Sequence, residues 1–267
     1  VREQLGEYLN CSADELALVT NTTQGINTVL RSLDFLPGDR ILQLSTGYLS
    51  VDKTIRYICD SLEDRDVKFI EVPITFPLSD KEIVDRVRQA IEDHKNLNDG
   101  TRIRIGVVDW ISSVPSILHP VKELVELLKS YGILAFVDGA HSIGQVPVDL
   151  TYLDADFFIG NCHKWLYSVR GSAALYIAKK HQHKIHTNAI SHGYKAGFEE
   201  EFAAHSTQDY SSLMTIPTAL EFRKQFGEDA IIHYARNLAL EGGKRMAEIL
   251  GTEVLTPYDN QVANMVN

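Results

Sequence analysis

Apolar residues fall along this chain in two alternating rhythms. Short, nearly continuous apolar runs occur at 16–19, 40–44, 67–73, 103–109, 133–138, 157–160 and 173–177. Runs of this length read as strands buried on both faces, the mark of a parallel sheet. Between them lie stretches with helical spacing. Ser79-Asp80-Lys81-Glu82 forms a capping box ahead of Ile83, Val84, Val87 and Ile91, which share one helix face. A further helix is bounded by Pro120 and Gly132, with Val121, Leu124, Val125 and Leu128 turned inward. The alternation predicts an α/β fold, a mostly parallel sheet sandwiched by helices. After about Ile185 the rhythm lapses into a loop rich in His and Gly, and helical patterns return near Ser212.

In a parallel sheet, functional groups gather at the carboxyl ends of the strands. Two segments place chemistry there: Val137-Asp138-Gly139-Ala140-His141-Ser142, and Asn161-Cys162-His163-Lys164-Trp165. A carboxylate and an amine converging at one edge suit pyridoxal 5′-phosphate (PLP). The lysine forms a Schiff base with the aldehyde, and the aspartate keeps the pyridine nitrogen protonated. Taken singly, each segment has a plainer reading: a helix cap or turn for Asp138, surface and packing for His163-Lys164-Trp165.

The same edge offers a place for a phosphate. Thr20-Asn21-Thr22-Thr23-Gln24-Gly25 follows the first run and opens a helix carrying Ile26, Val29, Leu30 and Leu33. Free N–H groups, the positive end of the helix dipole and threonine hydroxyls all favour an anion there. An ordinary polar N-cap is the alternative. Gly25 allows close backbone approach or simple helix packing. Tyr48, after the second run, and Asp109, Ser112 and Ser113, after the fourth, point to the same edge.

These motifs, and the Asn-Cys-His-Lys-Trp block above all, make nearly the whole chain resemble the class V aminotransferase family of fold-type-I PLP enzymes. Within it the sequence is most similar to the isopenicillin N epimerase-like branch and to fungal hercynylcysteine sulfoxide lyases, a likeness shared by Asp229-Ala230-Ile231-Ile232-His233-Tyr234 and by the stretch 241–252. The resemblance implies a PLP-binding large domain over 1–250, lacking its N-terminal arm, and the start of a truncated small domain at 251–267. It implies that Thr22, Thr23 and His163 hold the cofactor phosphate and that Ser113 touches the ring. Tyr48 would lie over the ring and, in the lyases, suits proton delivery. His141 stands where many relatives carry a glutamine bonded to the phenolic oxygen. Thr207, in Thr207-Gln208-Asp209-Tyr210, corresponds to a loop that crosses to the partner's phosphate, which implies a homodimer with shared sites. From the residues alone, His163 is a polar residue, Tyr48 a structural tyrosine and 207–210 an exposed turn.

The expected mechanism follows. Lys164, displaced from its Schiff base by the substrate amine, becomes the base at Cα, and Asp138 supports the ring that takes up the charge. Expulsion of sulfur from Cβ gives a C–S lyase that yields pyruvate and ammonia; a cysteine sulfoxide conjugate of hercynine, in ergothioneine synthesis, is the favoured substrate. Epimerisation, transamination and cysteine desulfuration stay open, as does a catalytically silent scaffold. Cys162 reads as packing. Arg170 is the nearest basic candidate for the substrate carboxylate.

Composition narrows the picture further. The chain has 267 residues, 44% of them hydrophobic, enough for one substantial core. A net charge of −10 argues against nucleic-acid binding through the overall field. No apolar stretch approaches the roughly 20 residues that span a bilayer. Three cysteines, Cys11, Cys59 and Cys162, form no spaced framework, so a reduced cytoplasmic setting is expected, and no metal site. The first residues, helix-like without a start signal, and the last, strand-like at 265–267, both read as cut ends.

Overall fold

The computed structural model describes residues 1–203 and 206–267. Among them, a single seven-stranded sheet organises the chain. Its strands are β1 (Leu16–Val19), β2 (Asp39–Leu44), β3 (Lys68–Val72), β4 (Arg102–Asp109), β5 (Leu134–Asp138), β6 (Phe157–Asn161) and β7 (Ala173–Ile177). Each lies within a residue or so of an apolar run in the sequence. The order across the sheet is β1-β7-β6-β5-β4-β2-β3. Pairing is parallel from β3 through β6, and β7 runs antiparallel to both β6 and β1. One strand therefore opposes the other six, and the sheet is mostly parallel, as the alternation predicts.

The helices are α1 (Arg2–Leu9), α2 (Thr22–Ser32), α3 (Leu49–Ser61), α4 (Asp80–Asn96), α5 (Val121–Ser130), α6 (Leu150–Leu153), α7 (Phe198–Ala203), α8 (Ile216–Phe226) and α9 (Glu228–Leu250). Strand side chains alternate between faces, so neighbouring residues enter different layers. Ile41, Phe136, Phe157 and Ile159 pack with Ile26, Val29 and Leu30 of α2 and with Val51, Ile55 and Ile58 of α3. Leu42, Val137 and Phe158 pack on the other side with Ile83, Val87 and Ile91 of α4 and with Leu124, Val125 and Leu128 of α5. Burying both faces is what makes the runs continuous in the sequence.

The capping box forms as predicted: Ser79 N–H donates to Glu82 Oε2 at 2.7 Å, and Glu82 N–H to Ser79 Oγ at 3.4 Å. Gly25 proves to be a packing glycine, since a Cβ there would stand 2.6 Å from Ile159 Cδ1. It lets α2 lie flush on β6 and brings its first turn beside the end of that strand. The stretch after Ile185 departs from expectation by holding α7, whose 6 residues are too few to show a helical period. Residues 252–267 form no strand; they lie against the body of the fold, where Gln261 is buried and donates to Leu78 O at 2.8 Å.

Phe158 anchors the layer beneath the site, fully buried and edge-on to Trp110 with ring centroids 6.2 Å apart. Phe158→Ala is expected to lower unfolding free energy by about 3–5 kcal/mol in urea titration. A loss below about 1 kcal/mol would mean this layer is not the packed core described.

Candidate active site

Strands β1, β2, β4, β5 and β6 deliver their carboxyl ends to one edge, and a cleft of about 190 Å³ opens there. It is lined by Thr22, Thr23, Tyr48, Ser113, Asp138, His141, His163 and Lys164, with Asn21, Asp109, Ile111, Ala140 and Asn161. The expected cofactor-contact residues Thr22, Thr23, Tyr48, Ser113, Asp138, His141, His163 and Lys164 therefore meet here, while Thr207, Ser112 and Arg170 do not line the cleft, and Thr207 is exposed.

Lys164 and His141 meet through their side chains, Nζ to Nε2 at 2.8 Å. Two cations at that distance repel, and burial decides which group gives way. The His141 pKa is pushed down to about 4, first by burial and then by Lys164, so the imidazole is neutral and accepts from the ammonium. That tautomer leaves the proton on Nδ1, which is buried and has no partner. The Lys164 pKa is itself lowered by desolvation, with Asp138 pulling the other way.

Behind this pair lie two carboxyls. Parallel pairing sets Asp109 of β4 opposite Asp138 of β5, and both side chains are buried. Asp138 Oδ1 accepts from the Ala140 N–H at 2.9 Å. Burial raises its pKa to about 6, against the pull of that N–H and of Lys164. Asp109 has only a long contact from Thr46 Oγ1, at 3.5 Å, and its pKa is raised well above the carboxylate range by burial and by Asp138. Burial and their mutual repulsion raise both carboxyls, so the pair holds a proton more tightly than separate carboxylates would.

The first turn of α2 faces these groups. Asn21 caps it, accepting from Gln24 N–H at 2.9 Å, while Thr22 N–H donates to Asn161 Oδ1 at 3.0 Å. Thr22 Oγ1 is buried without a partner, and Thr23 Oγ1 lies 3.0 Å from Ser50 Oγ. His163 is half-buried, with Nδ1 2.7 Å from Ser172 O, and burial lowers its pKa. Tyr48 is the exposed N-cap residue of α3, at the mouth of the cleft. Ser112 turns away from the site: it is buried, donates to Pro115 O at 2.5 Å and lies 3.1 Å from His119 Nε2. Cys162 is buried with its thiol pushed up to about 12, which makes it packing. Arg170 is exposed and outside the cleft lining.

Sequence reasoning had assigned nothing to Asn161 or Ser50 and no role to Asp109. Only Asp109 carried a signal, an acid ending an apolar run just as Asp138 does.

A carboxyl whose pKa rises on folding holds its proton more tightly in the native state. Its stabilising contribution is complete below pH 3.8 and is lost as pH rises through about 6. Asp138→Asn cannot ionise, so it is expected to stabilise the ligand-free protein at pH 8 by about 1–3 kcal/mol. Thermal unfolding across pH should show the gain shrinking towards pH 4; a gain independent of pH would contradict the assignment.

The unpartnered Thr22 hydroxyl, the dry His141 Nδ1 and a buried carboxylate short of a cation are the groups that a phosphate, an oxyanion and a protonated ring nitrogen would satisfy. Comparison with known proteins agrees. An L-cysteine desulfhydrase-like protein of Epichloe uncinata is 35% identical, over 94% of this chain and 60% of its own. The hercynylcysteine sulfoxide lyase of Schizosaccharomyces pombe is 30% identical, over 96% of this chain and 65% of its own. The chain thus spans under two thirds of these relatives' length. A cysteine desulfurase from Thermococcus onnurineus superposes with a TM-score of 0.82 at 18% identity, covering 99% of this chain and 66% of that one, which establishes the shared fold. The family model of class V aminotransferases matches residues 1–267, and the chain belongs to that family of enzymes, whose cofactor is pyridoxal 5′-phosphate.

Proposed function

We propose that this chain is the cofactor-binding part of a C–S lyase, which cleaves the Cβ–S bond of a cysteine S-conjugate and releases pyruvate and ammonia. The observation that carries this reading is the Lys164 amine, 2.8 Å from a neutral imidazole and backed by the buried Asp138. When bound, PLP supplies an aldehyde for the substrate amine and a ring that takes up the electrons released at Cα.

The chain's own groups do the rest. Asp138 would face the ring nitrogen, and its charge would keep a proton in place there. Thr22, Thr23 and His163 hold the phosphate at the first turn of α2. His141 would offer Nδ1–H to the phenolic oxygen, and Ser113 would contact the ring. Lys164, with its pKa lowered, takes the Cα proton. The electron pair from Cα–H forms the Cα–Cβ double bond as Cβ–S breaks, and sulfur leaves with the pair of that bond. Tyr48 covers the ring at the mouth of the cleft and delivers a proton to the departing sulfur. Lys164 would take back the place of the substrate nitrogen on the aldehyde, freeing the enamine, which water would convert to pyruvate and ammonia. Thr207, exposed, reaches the phosphate of a second copy in a cytoplasmic homodimer. Cys162 is buried, and burial raises the thiols of Cys11 and Cys59 as well, so none of these three cysteines is suited to be a nucleophilic thiolate.

A cysteine sulfoxide conjugate of hercynine is the substrate favoured by likeness to the yeast lyase, placing the reaction in ergothioneine synthesis. Likeness to the desulfhydrase-like protein supports L-cysteine itself as the second reading.

The test is pyruvate release by the full-length, PLP-loaded protein offered each substrate in turn, with Lys164→Ala as control. Release from the sulfoxide conjugate and not from L-cysteine, abolished in Lys164→Ala, is the expected result; the opposite preference selects the second reading. No pyruvate from either, in a protein that holds its cofactor, overturns the lyase. Tyr48→Phe is expected to slow release by about 100-fold or more. A normal rate would remove its proton-delivery role.

A further inference from the structure

Arg223 of α8 lies outside the cleft lining, yet its side chain is 1% exposed, among the most deeply buried polar groups of the chain. Its Nη1 donates to Trp165 O at 2.7 Å and its Nη2 to Gly144 O at 2.9 Å. Trp165 directly follows Lys164, and Gly144 is in the turn that begins at His141. Among the described residues, no other group bonds to either carbonyl. The guanidinium is itself held in place. Nε donates to Glu228 Oε2 at 2.7 Å and Nη2 to Oε1 at 2.5 Å, while the Tyr8 hydroxyl donates to the same carboxylate at 2.7 Å. Its carbon sits 5.0 Å from the centre of the Tyr167 ring.

The two loops it bridges touch backbone to backbone. Gly144 has φ +87°, and a Cβ there would stand 2.3 Å from Trp165 O. That close approach leaves the loops no room for a side chain at Gly144, and the residue next to Trp165 and the residue three before Gly144 make the Lys164–His141 contact. A lysine could not reproduce this arrangement, because only the planar fork of arginine serves two carbonyls and one carboxylate at fixed angles.

We propose that Arg223 is a positioning residue: with Glu228 as its counterion, it clamps the Lys164 loop to the His141 loop and so sets the distance between the amine and the imidazole. The inference rests on the reading of Lys164 as the PLP lysine, and it ties the active pair to α8, to the start of α9 and, through Tyr8, to α1.

The experiment follows the visible absorbance of PLP in the holoenzyme as a function of pH, together with kcat and KM. Wild-type protein should show a pH-dependent band that is lost in Lys164→Ala. Arg223→Lys and Glu228→Gln should keep the band but move its midpoint by about half a unit or more. They should lower kcat by about 10- to 100-fold, with a smaller effect on KM. Arg236→Gln is the control. Arg236 on α9 likewise bonds backbone carbonyls, Val262 O at 2.9 Å and Asp259 O at 2.7 Å, away from the cleft; its loss should cost stability and leave the midpoint unchanged. If the Arg223→Lys variant fails to fold, Glu228→Gln carries the test with the same expected shift, and Tyr8→Phe with a smaller one. An unmoved midpoint in folded variants, with only a lower Tm, overturns the positioning role alone. A wild-type protein with no such band removes the PLP reading and the positioning role with it. Because the band reports bound cofactor rather than product, a failed pyruvate assay leaves this result readable.

Discussion

In a parallel sheet every strand hands its last residues to the same edge, and on this edge the register loads more charge than the surroundings can solvate. Asp109 and Asp138 end adjacent strands directly opposite one another, both buried, with Lys164 the cation between β6 and the cleft. Two carboxylates cannot both ionise in such a place. Burial and crowding push both carboxyls upward, so the pair holds on to a proton that separate carboxylates would lose. The rest of the site can be understood as a response to that constraint. A positive ring nitrogen would relieve it, and the helix start at Thr22 would supply the complementary field for an anion at the other end of the same ligand.

Much of the fold was legible because its determinants are local. Apolar runs such as Phe157-Phe158-Ile159 are continuous only because both faces of the strand are covered, and the Ser79–Glu82 box marks its helix start within four residues. The chemistry at strand ends was legible for the same reason, since a parallel sheet fixes where Asp138 and Lys164 must emerge once their strands are known. Thr22, Tyr48 and Ser113 were placed at that edge by following their strands, the resemblance supplied their roles and that of His163, and the fold gathers all four around one cleft.

What stayed hidden depends on contacts between distant segments. Asn161 accepts from Thr22 across 139 residues, and Arg223 reaches Trp165 across 58 and Gly144 across 79. No periodicity encodes such bonds; they exist because Gly25 lets α2 settle on β6 and because Gly144 lets two loops pass in contact. The direction of Ser112 was equally invisible, since one residue of difference sends Ser113 into the cleft and Ser112 into a buried bond with Pro115 O and His119. Glycine in the sequence marks permission for an approach, while the partner of that approach appears only in three dimensions.

Proton placement then links architecture to chemistry. Lys164 and His141 stand too close to be charged together, and burial of the imidazole resolves the conflict in favour of a neutral ring. A neutral ring can accept from the ammonium through Nε2 and offer Nδ1–H to an oxyanion, so one residue addresses two partners without adding a cation. A glutamine at this position could also accept and donate, but it would hold fixed donors and acceptors whatever the state of the amine. A histidine can exchange which nitrogen carries the proton as Lys164 gains or loses its own. The group behind the ring and the group beside the amine thus answer the same electrostatic problem from opposite sides: Asp138 waits for a positive charge, and His141 declines to become one.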